Sequence, residues 1–127
     1  MTPFRVLVVD DNPINLDLAT FVLRAHGFAV DSAASAEDAI VRTRTFDPVV
    51  ILMDIQMPDV DGLEAVRRLR EDPLTRSVVV IAFTAYAMKG DEQKLMAAGC
   101  DGYIAKPIDI ASFGHTVRTL VEARKRA

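Results

Sequence analysis

Val49-Val50-Ile51-Leu52-Met53, running into Asp54, is five apolar residues in a row, β-branched at the front and stopped by a carboxylate. So short an apolar run, bounded by polar residues, has the composition of a strand covered on both faces, the mark of a parallel sheet. The same pattern recurs on either side. Val6-Leu7-Val8-Val9 stops at Asp10-Asp11, Val78 to Phe83 stops at Thr84, and Phe28 to Ala33 and Tyr103 to Ala105 give two weaker strands. Helical signals fill the gaps. Asn12-Pro13 supplies an N-cap and a proline at the first helical position, and Ile14, Leu18, Phe21, Val22 and Ala25 follow at helical spacing up to Gly27. Ser35 opens a second helix with Ala36, Ala39, Ile40 and Thr43 turned inward. Asp61-Gly62-Leu63-Glu64 is a capping pattern for a third, ending near Glu71; a fourth runs from Lys89–Asp91 to Gly99; the last carries Phe113, Val117, Leu120 and Val121.

Five strands alternating with five helices, joined by right-handed crossovers, predict a doubly wound α/β fold with helices on both faces of a parallel sheet. The 127 residues fit one domain, expected to span 1–127 with no effector domain, and Arg124-Lys125-Arg126 reads as a solvated basic end to the last helix. Half the residues are apolar and 26% are charged, the profile of a globular protein. A net charge of −3 gives no general attraction to nucleic acid or anionic lipid, so direct nucleic-acid binding is not expected. Cys100 is the only cysteine and reads as a small apolar residue; with no signal-peptide pattern and no apolar run long enough to insert in a membrane, the expected location is cytoplasmic.

In an open parallel sheet, ligands bind outside the carboxyl ends of the strands. There this chain places Asp10 and Asp11 after strand one, Asp54 after strand three, Thr84 after strand four and Lys106-Pro107 after strand five. Three carboxylates at close quarters repel one another unless a cation shares the site. Oxygen-only ligation, without His or Cys, favours Mg²⁺. A carboxylate can form an acyl phosphate, and its attack on a negative phosphoryl group needs metal and ammonium charge nearby, which Lys106 and the ion would provide. Singly, each residue has a plain structural role, such as a helix cap or a solvated cation. Their convergence on one edge carries the functional reading. Asp59 reads as solvated and Asp61 as a cap, while His26 and His115 lack the partners of a ligand pair or catalytic base.

The set Asp10-Asp11, Asp54, Thr84 and Lys106-Pro107 resembles that of response-regulator receiver domains, over essentially the whole chain. The resemblance implies a flavodoxin-like sheet of order 2-1-3-4-5. It implies Asp54 as acceptor of a phosphoryl group from a histidine kinase or histidine phosphotransfer protein, and Mg²⁺ held by Asp10, Asp11, Asp54 and the Gln56 carbonyl. Lys106 and Thr84 would contact the phosphoryl oxygens, Tyr103 would move inward with Thr84, and the Lys106-Pro107 peptide would be cis. Output would be protein binding through helix four, strand five and helix five, from a monomer or weak dimer, with no enzymatic role beyond handling its own phosphoryl group. Slow autodephosphorylation is expected because bulky Tyr86 and Gln56, neither of them acidic, flank the approach of water. Thr84 to Glu92 and Ala98 to Ile108 resemble stand-alone regulators of the DivK-like cell-division type and receivers of hybrid kinases.

Three other readings are weaker. A flavodoxin needs a Ser/Thr/Gly-rich phosphate loop where this chain has Asp10-Asp11-Asn12-Pro13, and no GxGxxG supports a dinucleotide. A haloacid-dehalogenase-type phosphatase needs a second Asp two residues after the nucleophile, where Gln56 stands. A phosphorylation-independent interaction module has no need of the intact Asp54, Thr84 and Lys106.

Overall fold

The computed structural model describes residues 4–55, 62–84, 91–105 and 109–126. The elements alternate strictly: β1 (Arg5–Val9), α1 (Pro13–Ala25), β2 (Ala29–Ala33), α2 (Ala36–Phe46), β3 (Val50–Asp54), α3 (Gly62–Glu71), β4 (Val79–Thr84), α4 (Asp91–Ala98), β5 (Gly102–Ala105) and α5 (Phe113–Arg126). The five strands form one parallel sheet in the order β2-β1-β3-β4-β5, the doubly wound arrangement expected. Asp54 and Thr84 are the last residues of β3 and β4 rather than the first beyond them, and α5 carries the basic end within its last turn.

Strand alternation divides the core in two. Leu7, Val9, Ile51, Met53, Val80 and Ala82 pack with Ala39 of α2, Val66 and Leu69 of α3 and Leu95 of α4. Val6, Val8, Leu52, Ile81 and Phe83 pack on the other face with Ala19, Val22 and Leu23 of α1 and Phe113, Val117 and Val121 of α5. Central β3 is buried along its whole length, as its unbroken apolar run requires. Cys100 is buried in the first cluster, and that burial pushes its thiol up to about 11, leaving it an unreactive apolar group. The His26 ring lies where a Cβ on Gly114 would come within 2.3 Å of it, so this histidine packs α1 against α5.

Of the residues whose spacing announces α1, Val22 alone helps to bury it. Ala19, Val22 and Leu23 face the sheet, whereas Ile14 is 76% and Phe21 73% exposed, with Leu18 37%. Two apolar stripes share this helix, both at a spacing compatible with 3.6 residues per turn, and only packing distinguishes them. In α2 the expected inward residues Ala36, Ala39 and Thr43 are buried, with Ile40 packed against them.

At the amino ends of β4 and β5 a clamp appears that local sequence does not announce. The Arg70 guanidinium donates from Nε and Nη2 to the Gly99 carbonyl (3.0 and 2.7 Å), from Nη1 to the carbonyls of Arg76 (2.7 Å) and Val78 (2.5 Å), and from Nη2 to Asp101 Oδ2 (2.9 Å). Asp101 Oδ2 also accepts the Val80 N–H at 2.9 Å. One side chain thus ties the end of α4 to α3 and to the entries of β4 and β5. Arg70→Met should lower stability by about 2–3 kcal/mol in urea unfolding, because it leaves a partly buried carboxylate and several carbonyls without their charged donor. A loss below about 0.5 kcal/mol, as for an ordinary surface change, would mean that the clamp adds nothing.

Candidate functional site

The site is built at the carboxyl edge of the three central strands. Val9 pairs with Met53 and Asp54 pairs with Phe83, so Asp10, the next residue after Val9, sits level with Asp54 in the middle of the sheet. The Asp10 N–H donates to the Ala33 carbonyl at 3.1 Å, holding the chain against β2 for one residue beyond β1. Asp10 Oδ1 then accepts the Asn12 N–H at 2.9 Å, turning the backbone toward α1. Asn12 caps that helix, its Oδ1 accepting from Ile14 (2.9 Å) and Asn15 (3.4 Å), with Pro13 at the first helical position. Asp10-Asp11-Asn12-Pro13 therefore both starts a helix and presents two carboxylates at a strand end.

Asp10 and Asp54 are 1% and 3% exposed and Asp11 is exposed, giving a buried acidic floor with one open side. Carboxylate oxygens of Asp10, Asp11 and Asp54 lie within 4.8 Å of one another, the one cluster of metal-type ligands among the described residues. At this separation and an effective dielectric near 20, two unit negative charges oppose each other by roughly 3 kcal/mol. The chemistry of this donor set fits a hard divalent cation, which takes oxygen ligands and offsets the repulsion. It does not fit a soft or borderline metal that prefers nitrogen or sulfur.

Of the other sequence-predicted residues, Thr84 ends β4 opposite Ala105 of β5, one step beyond the level of Asp54. The backbone of Thr84 is described and its side chain is not. Gln56, Lys106 and Pro107, together with Asp59, Asp61 and Tyr86, lie outside the described residues. Tyr103 is on edge strand β5 and 39% exposed. Sequence reasoning missed Arg70 and Asp101, which fix the far end of α4 and β5. Their signal is an ion pair across 31 positions, which no local pattern contains.

A doubly wound sheet with clustered aspartates at its central carboxyl edge is the architecture of a signalling receiver switched by phosphorylation. The chain belongs to the response regulator receiver domain family, whose model matches residues 6–118. It is 40% identical over 114 residues to the polar-differentiation response regulator DivK of Brucella ovis, covering 90% of this chain and 93% of that one. DivK of Brucella anthropi is 39% identical over 117 residues, 92% and 95% of the two chains. The receiver domain of a Pseudomonas aeruginosa sensor histidine kinase, solved with a magnesium ion coordinated in its active site cleft, superposes with a TM-score of 0.85. It is 31% identical, over 95% of this chain and 99% of that one. The Vibrio cholerae chemotaxis protein CheY4 superposes at 0.88 with 24% identity, covering 94% and 99%, a likeness of fold alone. The protein is thus a phosphorylation-activated response regulator of two-component signalling, a switch and not a metabolic enzyme. No helix among the described residues is long and apolar enough to cross a membrane.

Proposed function

We propose that Asp54 accepts the phosphoryl group, delivered by a histidine kinase or histidine phosphotransfer protein, and that Asp10, Asp11, Asp54 and the Gln56 carbonyl hold Mg²⁺ beside it. The observation that carries this reading is the buried Asp54 carboxylate within 4.8 Å of those of Asp10 and Asp11. In the transfer, an Asp54 Oδ forms the new O–P bond as the N–P bond of a phosphohistidine breaks. The bonding pair returns to the imidazole nitrogen, which takes a proton from solvent. A cation held by these residues would supply positive charge that offsets the negative charge of the phosphoryl group and of the acidic floor. Lys106, directly after β5, is assigned to the same oxygens as a fixed cation, and the Thr84 hydroxyl to one of them as a donor.

Phosphorylation adds about −1.5 to −2 charges and new acceptors at the end of β3. Thr84 drawn toward them, with Tyr103 turning inward from its half-exposed position, is the proposed switch, and the α4-β5-α5 surface beside Tyr103 the proposed output to a protein target. The far end of α4 is held by Arg70, so the change is expected at its Asp91 end, the end nearer to Thr84 along the chain. The Lys106-Pro107 peptide is assigned the cis form and the protein a cytoplasmic location, in keeping with a lone buried thiol. Autodephosphorylation is proposed to be slow because Tyr86 and Gln56 flank the water's approach. Tyr86→Gly should shorten the phosphoryl lifetime several-fold, and an unchanged lifetime would count against this role.

The reading is tested by intact-mass analysis after incubation with a small phosphodonor, with and without Mg²⁺. One phosphoryl adduct that depends on Mg²⁺ is expected. No adduct under either condition would favour a module that works without phosphorylation.

A further inference from the structure

The order β2-β1-β3-β4-β5 puts β2 at one end of the sheet, paired with β1 along one side and, among the described residues, open along the other. The Ala29 N–H donates to the Phe4 carbonyl at 2.8 Å, and the Ala33 carbonyl accepts the Asp10 N–H at 3.1 Å. Residues 29, 31 and 33 therefore turn their main-chain groups toward β1, and alternation aims those of Val30 and Ser32 at the open edge. An open edge is a template for a further strand. At five residues, β2 is long enough to serve as one.

Two of the edge groups are already taken by side chains. Arg24, from α1 on one face of the sheet, donates from Nη2 to the Val30 carbonyl at 3.2 Å. Asp31 Oδ1 accepts the Ser32 N–H at 2.9 Å. Arg42, from α2 on the opposite face, grips both oxygens of Asp31 through Nη1 at 3.0 and 3.1 Å, and its Nε donates to Asp38 Oδ2 at 2.9 Å. The position of the two occupied groups is decisive. A residue of an added parallel strand would donate to the Val30 carbonyl and accept from the Ser32 N–H, because a parallel ladder bridges groups two residues apart. An antiparallel strand needs both groups of Val30 or both of Ser32, and each residue has one occupied. Either kind of pairing must first displace a side chain, and displacing Asp31 also loosens Arg42.

We infer that Arg24 and the Asp31–Arg42 pair are a guard that closes this edge, so that the sheet of one copy does not extend into that of another. The strand held off is the β2 of a second copy, meeting its twin antiparallel about a two-fold axis at Asp31. About that axis the Val30 carbonyl of each copy would take the Ser32 N–H of the other, the same two groups that the guard occupies.

Sedimentation velocity on Arg24→Ala combined with Asp31→Val tests this. Both groups are then free, and the double variant should dimerise at concentrations roughly tenfold or more below any at which wild type associates. Arg24→Ala with Asp31→Asn carries the same net charge but keeps an Oδ1 for the Ser32 N–H, so it should associate several-fold more weakly. Ser32→Pro added to the first pair removes the outward N–H, as an edge strand tolerates, and should restore wild-type behaviour. In wild type itself, the outward Ser32 amide should exchange hydrogen with solvent at least about tenfold more slowly than in an unstructured chain. A double variant no more associated than wild type, an association that survives Ser32→Pro, equal association of the charge-matched pair, or an unprotected Ser32 amide would each overturn the inference. Circular dichroism and reaction with a small phosphodonor, read on every sample, separate these outcomes from misfolding and from failure of the Asp54 assignment.

Discussion

Asp10→Asn is expected to make the metal-free protein more stable and to abolish its response to Mg²⁺. Asn keeps an Oδ1 that can accept the Asn12 N–H, so the turn into α1 survives, but one of three clustered negative charges is gone. Relief of that repulsion, discounted for solvent access through Asp11, should be worth about 1 kcal/mol, or roughly 3–5 °C in the thermal midpoint measured with a chelator. Wild type at ten times its Mg²⁺ dissociation constant should gain about 1.4 kcal/mol from binding, and the variant far less. Phosphorylation by a small donor should fall by roughly 10–100-fold, as when a metal site loses part of its support. A midpoint that drops without metal, or an unchanged Mg²⁺ shift, would mean that Asp10 serves only as a turn residue.

The larger effect is expected at Asp54. Asp54→Asn keeps the size of the side chain and removes the anionic nucleophile, so the acyl phosphate should be lost altogether rather than slowed. Metal affinity should also weaken, since one of the three carboxylates has become a neutral amide. The metal-free variant should be at least as stable as wild type for the reason given for Asp10. Loss of the adduct with retained stability distinguishes chemical failure from misfolding. An adduct of undiminished yield on Asp54→Asn would move the acceptor elsewhere.

How much of this was legible in the sequence differs from feature to feature. The strands were, because Val6–Val9 and Val50–Met53 are apolar without interruption and each is halted by carboxylates at the edge where a parallel sheet binds ligands. The first helix start was legible too, since Asn12-Pro13 is a chemical signal as well as a propensity. The end of α2 was not: it falls at Asp47, a non-glycine residue at φ 52°, where an Asp tolerates the left-handed region without marking it in advance. Nor was the buried face of α1, because periodicity fits the stripe through Ile14 and Phe21 as well as the one through Ala19 and Leu23. Choosing between them requires the sheet. The Arg70–Asp101 clamp is a contact across the fold, visible only once α3, α4 and β5 are assembled.

The acidic floor of the site follows from adjacency in the sheet. Once Val9 pairs with Met53, Asp10 and Asp54 must stand side by side, whatever their sequence separation. The three carboxylates are therefore a consequence of strand register, and the need for a cation is a consequence of the carboxylates.

The most direct test is to locate the phosphoryl group. After reaction with a small phosphodonor and Mg²⁺, borohydride converts an acyl phosphate to the corresponding alcohol, and peptide mass mapping then finds the altered residue. The expected result is homoserine at position 54 and at no other aspartate, appearing only when donor and Mg²⁺ are both present. An altered residue elsewhere, including Asp10 or Asp11, or none at all, would contradict Asp54 as the phosphoryl acceptor.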